Sequence, residues 1–144
     1  MNVVVDASVA VKWLVDEPDT DRAEALLDLC QIGKCVPIAP DILAVEVGSV
    51  LWRRVRQGFL LNHQAEVLFA TFNRIRPVLI PLADLCDLAL QLGLTHQHSV
   101  YDCLYLALAL ERQCNLITAD EKFYRAFQHT IPEIKLLRNW NEES

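Results

Sequence analysis

Apolar residues along this 144-residue chain follow two periods, and the switches between them lay out its elements. Val3-Val4-Val5 is a β-branched run ending at Asp6, the pattern of a strand buried on both faces. A short helix over residues 9–14 follows. Pro18 and Asp19 open a longer one to about residue 29, with Ala23, Leu26, Leu27 and Cys30 at helical spacing. Residues 36–39 read as a second strand. Pro40-Asp41 starts a helix, with Asp41 as its N-cap, that runs to Arg56 before Gly58 stops it. Asn62 caps a helix reaching Arg74. Pro77 and Pro81 bracket a strand at Val78-Leu79-Ile80. Residues 84–92 are helical up to Gly93, and Ser99 caps a strongly apolar helix to Glu111. Residues 115–118 form a fourth strand, residues 121–127 a short helix, and Leu136-Leu137 a last edge strand.

Strands alternate with helices throughout, which predicts an α/β domain with a mainly parallel central sheet and helices on both faces. One domain over residues 1–144 is expected, with only the final Asn-Glu-Glu-Ser as a tail. There is no internal repeat and no linker. No apolar run is long enough to span a bilayer. The opening Met-Asn-Val-Val-Val-Asp has no basic segment or cleavage site, so it reads as a strand rather than a signal peptide. The expected setting is the cytoplasm, away from membranes.

Five cysteines, Cys30, Cys35, Cys86, Cys103 and Cys114, form no Cys-x-x-Cys pair. Their odd number, and the apolar helical stretches that hold Cys86, Cys103 and Cys114, predict buried reduced thiols rather than a disulfide framework or a zinc site. A net charge of −6 argues against a protein that holds nucleic acid on a broad basic surface. It does not exclude a nuclease, because clustered carboxylates carry charge that bound cations offset.

The positions of four acids change the picture. In open parallel sheets ligands bind at the carboxyl ends of the strands. Asp6 stands at the end of the first strand and Asp120 just past the fourth, so parallel strands bring both to one end. In the helix after the second strand, Ile42, Glu46 and Val50 share a face, and Glu46 interrupts its apolar stripe. Asp102 interrupts the most apolar helix of the chain. A buried carboxylate is costly unless paired, protonated or bound to a metal. Each acid also has a structural use: Asp6 and Asp120 as N-caps, Asp102 in a near match to a capping box with Ser99, Glu46 paired with Arg53 or Arg54. Four such positions, two at the ligand end of the sheet and two in apolar helices, favour one shared site.

Carboxylate oxygens suit hard cations such as Mg²⁺ and Mn²⁺. Two such ions about 3.5–4 Å apart clamp the attacking and leaving oxygens of a phosphodiester displacement. Ser8 and Thr118 are candidate helpers at the metal shell or a phosphate, with a local backbone hydrogen bond as the plainer use of each. Glu121 is an auxiliary candidate or a solvated first-turn acid. His96 and His98 read as solvated imidazoles in a loop. Arg53, Arg54 and Arg56 form a basic cluster able to hold phosphates, or to complement the end of their helix.

The opening Val-Val-Asp-Ala-Ser-Val-Ala-Val-Lys-Trp, the helix Pro-Asp-Ile-Leu-Ala-Val-Glu, the segment Ser-Val-Tyr-Asp-Cys-Leu-Tyr-Leu-Ala-Leu-Ala and the stretch Leu-Ile-Thr-Ala-Asp-Glu-Lys-Phe together resemble a PIN domain. They are most similar to the VapC toxins of bacterial and archaeal toxin–antitoxin pairs, in the expected order over nearly the whole chain. The resemblance implies a three-layer α/β/α sandwich and a Mg²⁺- or Mn²⁺-dependent endoribonuclease. It implies that Asp6, Glu46, Asp102 and Asp120 form the acidic site, with Ser8 and Thr118 as supporting polar groups. It also implies an RNA substrate, a homodimer and a small VapB-like antitoxin that covers the cleft, often with an Arg in the acidic site. Trp13 and Trp52 are candidates to line that groove, with core packing as the alternative. Many relatives carry Asn three residues after the helix Glu. This chain has Ser49, which weakens the supporting network.

Other small α/β families fit less well. A phosphorelay receiver needs adjacent acids after the first strand and a late Lys, and a haloacid-dehalogenase-like phosphatase needs Asp-x-Asp there. This chain has Asp6-Ala7-Ser8. A dinucleotide-binding module needs a Gly-rich turn, and the chain has four glycines in all. A free-standing PIN nuclease of RNA processing and a non-cleaving PIN-fold binding module remain as alternatives.

Overall fold

The computed structural model describes residues 1–142, so Glu143 and Ser144 of the expected tail lie outside the described residues. The order is β1 (Asn2–Val5), α1 (Ala7–Ala10), α2 (Thr20–Gln31), β2 (Val36–Pro40), α3 (Ile42–Arg56), α4 (Asn62–Ile75), β3 (Val78–Ile80), α5 (Cys86–His96), α6 (Val100–Arg112), β4 (Asn115–Thr118), α7 (Glu121–Phe127) and β5 (Ile134–Leu136). The strands lie in the order β3-β2-β1-β4-β5, and every pairing is parallel. The chain adds β2 on one side of β1 and β4 on the other. A topological switch point therefore lies between β1 and β4, where open sheets bind their ligands.

Side-chain alternation along the strands feeds two cores. Val4 and Leu116 turn to one face, where α3, α5 and α6 pack. Val3, Val5 and Ile117 turn to the other, against Ala23 and Leu26 of α2 and Trp140. Helices on both faces make the sandwich three layers deep. As its composition predicts, α6 is the central helix: Cys103 through Ala109 are all buried.

Several local expectations differ from the structure. The predicted helix over residues 9–14 divides into α1 and a 3₁₀ turn, Val11–Trp13. Asn62 is the first residue of α4 rather than its cap; Leu61 takes the cap position, and its N–H donates to the Gln64 side chain at 2.8 Å. Asp41 precedes α3 without a side-chain capping bond. Gly93 does not stop α5, which runs to His96 and ends at Gln97 with φ of 53°. A Cβ at residue 93 would stand 2.8 Å from the His98 carbonyl oxygen, so this glycine lets the following loop fold back onto the helix. The last strand ends at Leu136, and Leu137 opens a 3₁₀ turn. Among the cysteines Cys103 is buried, whereas Cys86, expected inside, is exposed with its thiol donating to the Leu82 carbonyl at 3.3 Å. Among the described residues no helix is long and apolar enough to cross a membrane.

Candidate active site

Register builds the centre of the site. Val5 pairs with Ile117, so the next residues, Asp6 and Thr118, stand side by side at the switch point. Thr118 is fully buried, and its hydroxyl donates to Asp6 Oδ2 at 2.5 Å. The Ser8 hydroxyl donates to Asp6 Oδ1 at 2.5 Å while accepting from the Ala119 N–H at 2.8 Å. The Val9 N–H donates to Oδ1 at 3.3 Å, so Asp6 is also the N-cap of α1. Despite these donors, burial pushes the Asp6 carboxyl up to about 7; the Ser8 and Thr118 hydroxyls oppose the shift, and Asp102 adds to it.

The other three acids face Asp6 across a cleft of about 570 Å³. Along α3, Leu43, Val47 and Leu51 fill the core, while Ile42, Glu46, Ser49, Val50 and Arg53 line the cleft. Glu46 therefore sits beside the buried stripe rather than in it. Burial raises its pKa; the Tyr105 hydroxyl, donating at 2.5 Å, and the positive charge of Arg53 oppose the shift, while Asp102 adds to it. Asp102 lies in the first turn of α6, and its Oδ2 is 2.8 Å from His98 Nε2. Ser99 supplies the helix cap, accepting from the Tyr101 N–H at 3.2 Å. Asp120 is exposed at the cleft edge and caps α7 through the Phe123 N–H at 3.1 Å. Thus Asp6 and Asp120 act as caps while also lining the cleft.

All four predicted acids, with Ser8, line this one cleft. Thr118 lies beneath it, buried under Asp6. Arg53 lines it, whereas Arg54 is turned aside to an ion pair with Glu17, which Lys12 joins at 3.2 Å. Glu121 is engaged by Arg125 and Arg138 and is not among the cleft residues. Trp13 packs inward with its indole N–H on the Ala23 carbonyl, while Trp52 is 62% exposed with Arg56 over its ring.

His98 corrects the expectation of a solvated loop. Its side chain is 9% exposed and stacks on Phe123. His96 likewise packs on Phe127, with ring centroids 4.5 Å apart. The sequence reading lacks Tyr105 altogether and lacks the part of His98 as a polar partner of Asp102. Both had a signal: Tyr105 is three residues after Asp102 on the same helix face, and His98 is four before it.

A wholly parallel α/β sheet with acids gathered at its carboxyl edge, one following β1 and one following β4, defines the class of α/β domain that binds ligands at a topological switch point. A family profile narrows it further: the PIN domain matches residues 3–127, and the chain belongs to that family. Ribonuclease VapC3 of Pyrobaculum aerophilum is 30% identical over 131 residues, covering 88% of this chain and 95% of that protein. The crystal structure of PAE2754 from Pyrobaculum aerophilum matches with a TM-score of 0.70 at 18% identity, over 96% of this chain and 93% of that one. Mycobacterium tuberculosis VapC20, described as a sarcin-ricin loop cleaving toxin, matches with a TM-score of 0.64 at 20% identity, over 87% of this chain and 95% of its own. At these identities the two structures bear on the fold.

Proposed function

We propose that this PIN domain is a divalent-metal-dependent endoribonuclease, hydrolysing RNA phosphodiester bonds as the toxin of a toxin–antitoxin pair. The observation that carries the reading is the convergence of Asp6, Glu46, Asp102 and Asp120 on one cleft, in a chain similar over most of its length to a named ribonuclease. The donors are carboxylates with a hydroxyl beside them, and no thiol or imidazole lines the cleft. That set fits Mg²⁺ or Mn²⁺ better than zinc. Mg²⁺ takes one or two carboxylates directly, keeps waters and leaves positions for phosphate oxygens, which suits acids spread around a cleft.

Bound cations would neutralise charge at the scissile phosphate and lower the pKa of a water. The chain's own residues hold the geometry. Ser8 and Thr118 fix both oxygens of Asp6. Tyr105 fixes Glu46. Arg53 offers a guanidinium to the RNA backbone from the cleft wall. On this reading the activity belongs in the cytoplasm, where its RNA substrate would be met. Val45 and Tyr101 line the cleft and are each 63% exposed, which suits an apolar antitoxin segment beside an Arg that enters among the acids. Leu90 and Leu94, four residues apart on α5, are 49% and 72% exposed, the kind of apolar surface a homodimer contact would cover.

The test is cleavage of a structured RNA with Mn²⁺, with Mg²⁺ and with chelator, beside the Asp6→Asn variant. Cutting is expected only with metal, and Asp6→Asn should lower it by more than about 100-fold, beyond the loss typical of a ligand's outer partner. Full activity in that variant, or cutting that survives chelator, would overturn the reading.

A further inference from the structure

His98 is built into the fold with unusual care for a loop residue. Its N–H donates to the Gly93 carbonyl at 3.0 Å, in the close approach that the missing Cβ of Gly93 permits. Its ring lies 5.1 Å from Phe123 at 19°, stacked, and 5.6 Å from Phe127 at 76°, edge-on. Both phenylalanines belong to α7, whose first turn is capped by Asp120. The polar edge of this clamped ring meets Asp102 Oδ2 at 2.8 Å. Packing alone does not account for that edge, because a phenyl ring would serve between the two phenylalanines. Stability does not account for it well either: Asp102 is 33% exposed, and such pairs contribute little. Nor does Asp102 cap α6, since Ser99 does.

We propose that His98 is a positioning residue for the cation centre. Through Nε2–H it holds one oxygen of Asp102 and leaves the other for a cation, so α7 and its aromatic pair set the orientation of an acid on α6. This rests on the carboxylate–cation reading of the cleft above. A partly exposed aspartate on a first helical turn otherwise samples several rotamers, and a ligand fixed in advance binds its ion more tightly.

Two substitutions separate the hydrogen bond from the packing. His98→Phe keeps a ring between Phe123 and Phe127 and removes the donor. His98→Gln keeps a donor at similar reach and gives up the stacking. The measurement is Mn²⁺ titration of RNA-free protein, read from the electron paramagnetic resonance signal of unbound Mn²⁺, with wild type and Asp102→Asn alongside. His98→Phe should weaken binding by about 10–100-fold. His98→Gln should keep most of the affinity while lowering the unfolding temperature. Wild-type affinity in His98→Phe would overturn the proposal, as would a larger loss in His98→Gln than in His98→Phe. Undiminished binding by Asp102→Asn would remove the carboxylate–cation reading itself, and the role of His98 with it.

Discussion

Two cavities of nearly equal size sit at opposite ends of the sheet. The cleft at the carboxyl end measures about 570 Å³, and the hollow at the amino end, beside Asn2, Val3 and Asn115, about 610 Å³. Volume does not tell them apart; the state of their charges does. At the amino end Lys34 and Arg112 are exposed and remain hydrated. At the carboxyl end Asp6 is 6% exposed and faces the raised carboxyl of Glu46 across the cleft. Buried like charges are costly unless something positive enters among them. The smaller cavity is therefore the one that calls for a ligand.

The difference between the two ends should show most strongly in the pH dependence of stability without metal. The folded pKa of Asp6 is raised, so between about 4 and 7 the native state holds a proton that the unfolded chain has released. Its contribution to stability is fully present below that window, is lost as pH rises through it and is constant above. The loss is at most about 4 kcal/mol for a shift of this size. Glu46 contributes in the same direction. Chemical denaturation of metal-free protein across pH 4–8 should show the decline, and Asp6→Asn should flatten it. With Mn²⁺ present the slope should flatten or reverse, because the ion binds the ionised carboxylates. A metal-free wild-type curve that falls no more steeply than that of Asp6→Asn would contradict the buried-acid picture.

A smaller effect is expected at the cleft wall. Arg53 lines the cleft, whereas Arg54 is occupied by Glu17. Arg53→Gln should raise KM for RNA several-fold with kcat little changed, the pattern of lost uniform binding. Arg54→Gln should leave KM nearly unaltered. Equal effects in steady-state cleavage would mean that the Glu17 pair opens when RNA binds. The smallest effect belongs to the amino-end cavity: Lys34→Gln and Arg112→Gln should leave both Mn²⁺ affinity and RNA cleavage unchanged. A loss of cleavage in either would give that end a part in function.

Much of the fold was legible because its signals are local. Alternation of strand and helix periods located the five strands, and the β-branched runs led to a sheet buried on both faces. The misreadings were also local. Gly93 has the residue type of a helix terminator, but a loop returning onto the helix is what requires it. Ile42 and Val50 share the face of Glu46 and suggest an apolar stripe through it, yet the core takes the adjacent face of Leu43, Val47 and Leu51. A helical period alone cannot choose between neighbouring faces that are both largely apolar.

By itself the sequence determined which carboxylates stand at strand ends and in apolar helices, since chain order and side-chain chemistry place them without long-range information. Only the tertiary structure decided what each acid touches. Asp6 meets Thr118 across 112 positions of sequence, Glu46 meets Tyr105 across 59, and Arg54 is drawn to Glu17 across 37. Such meetings depend on sheet register and helix packing, which no local pattern encodes. They set how deeply a carboxylate is desolvated, which of its oxygens is held and which cation is already taken. Those quantities separate a row of acidic residues from a site.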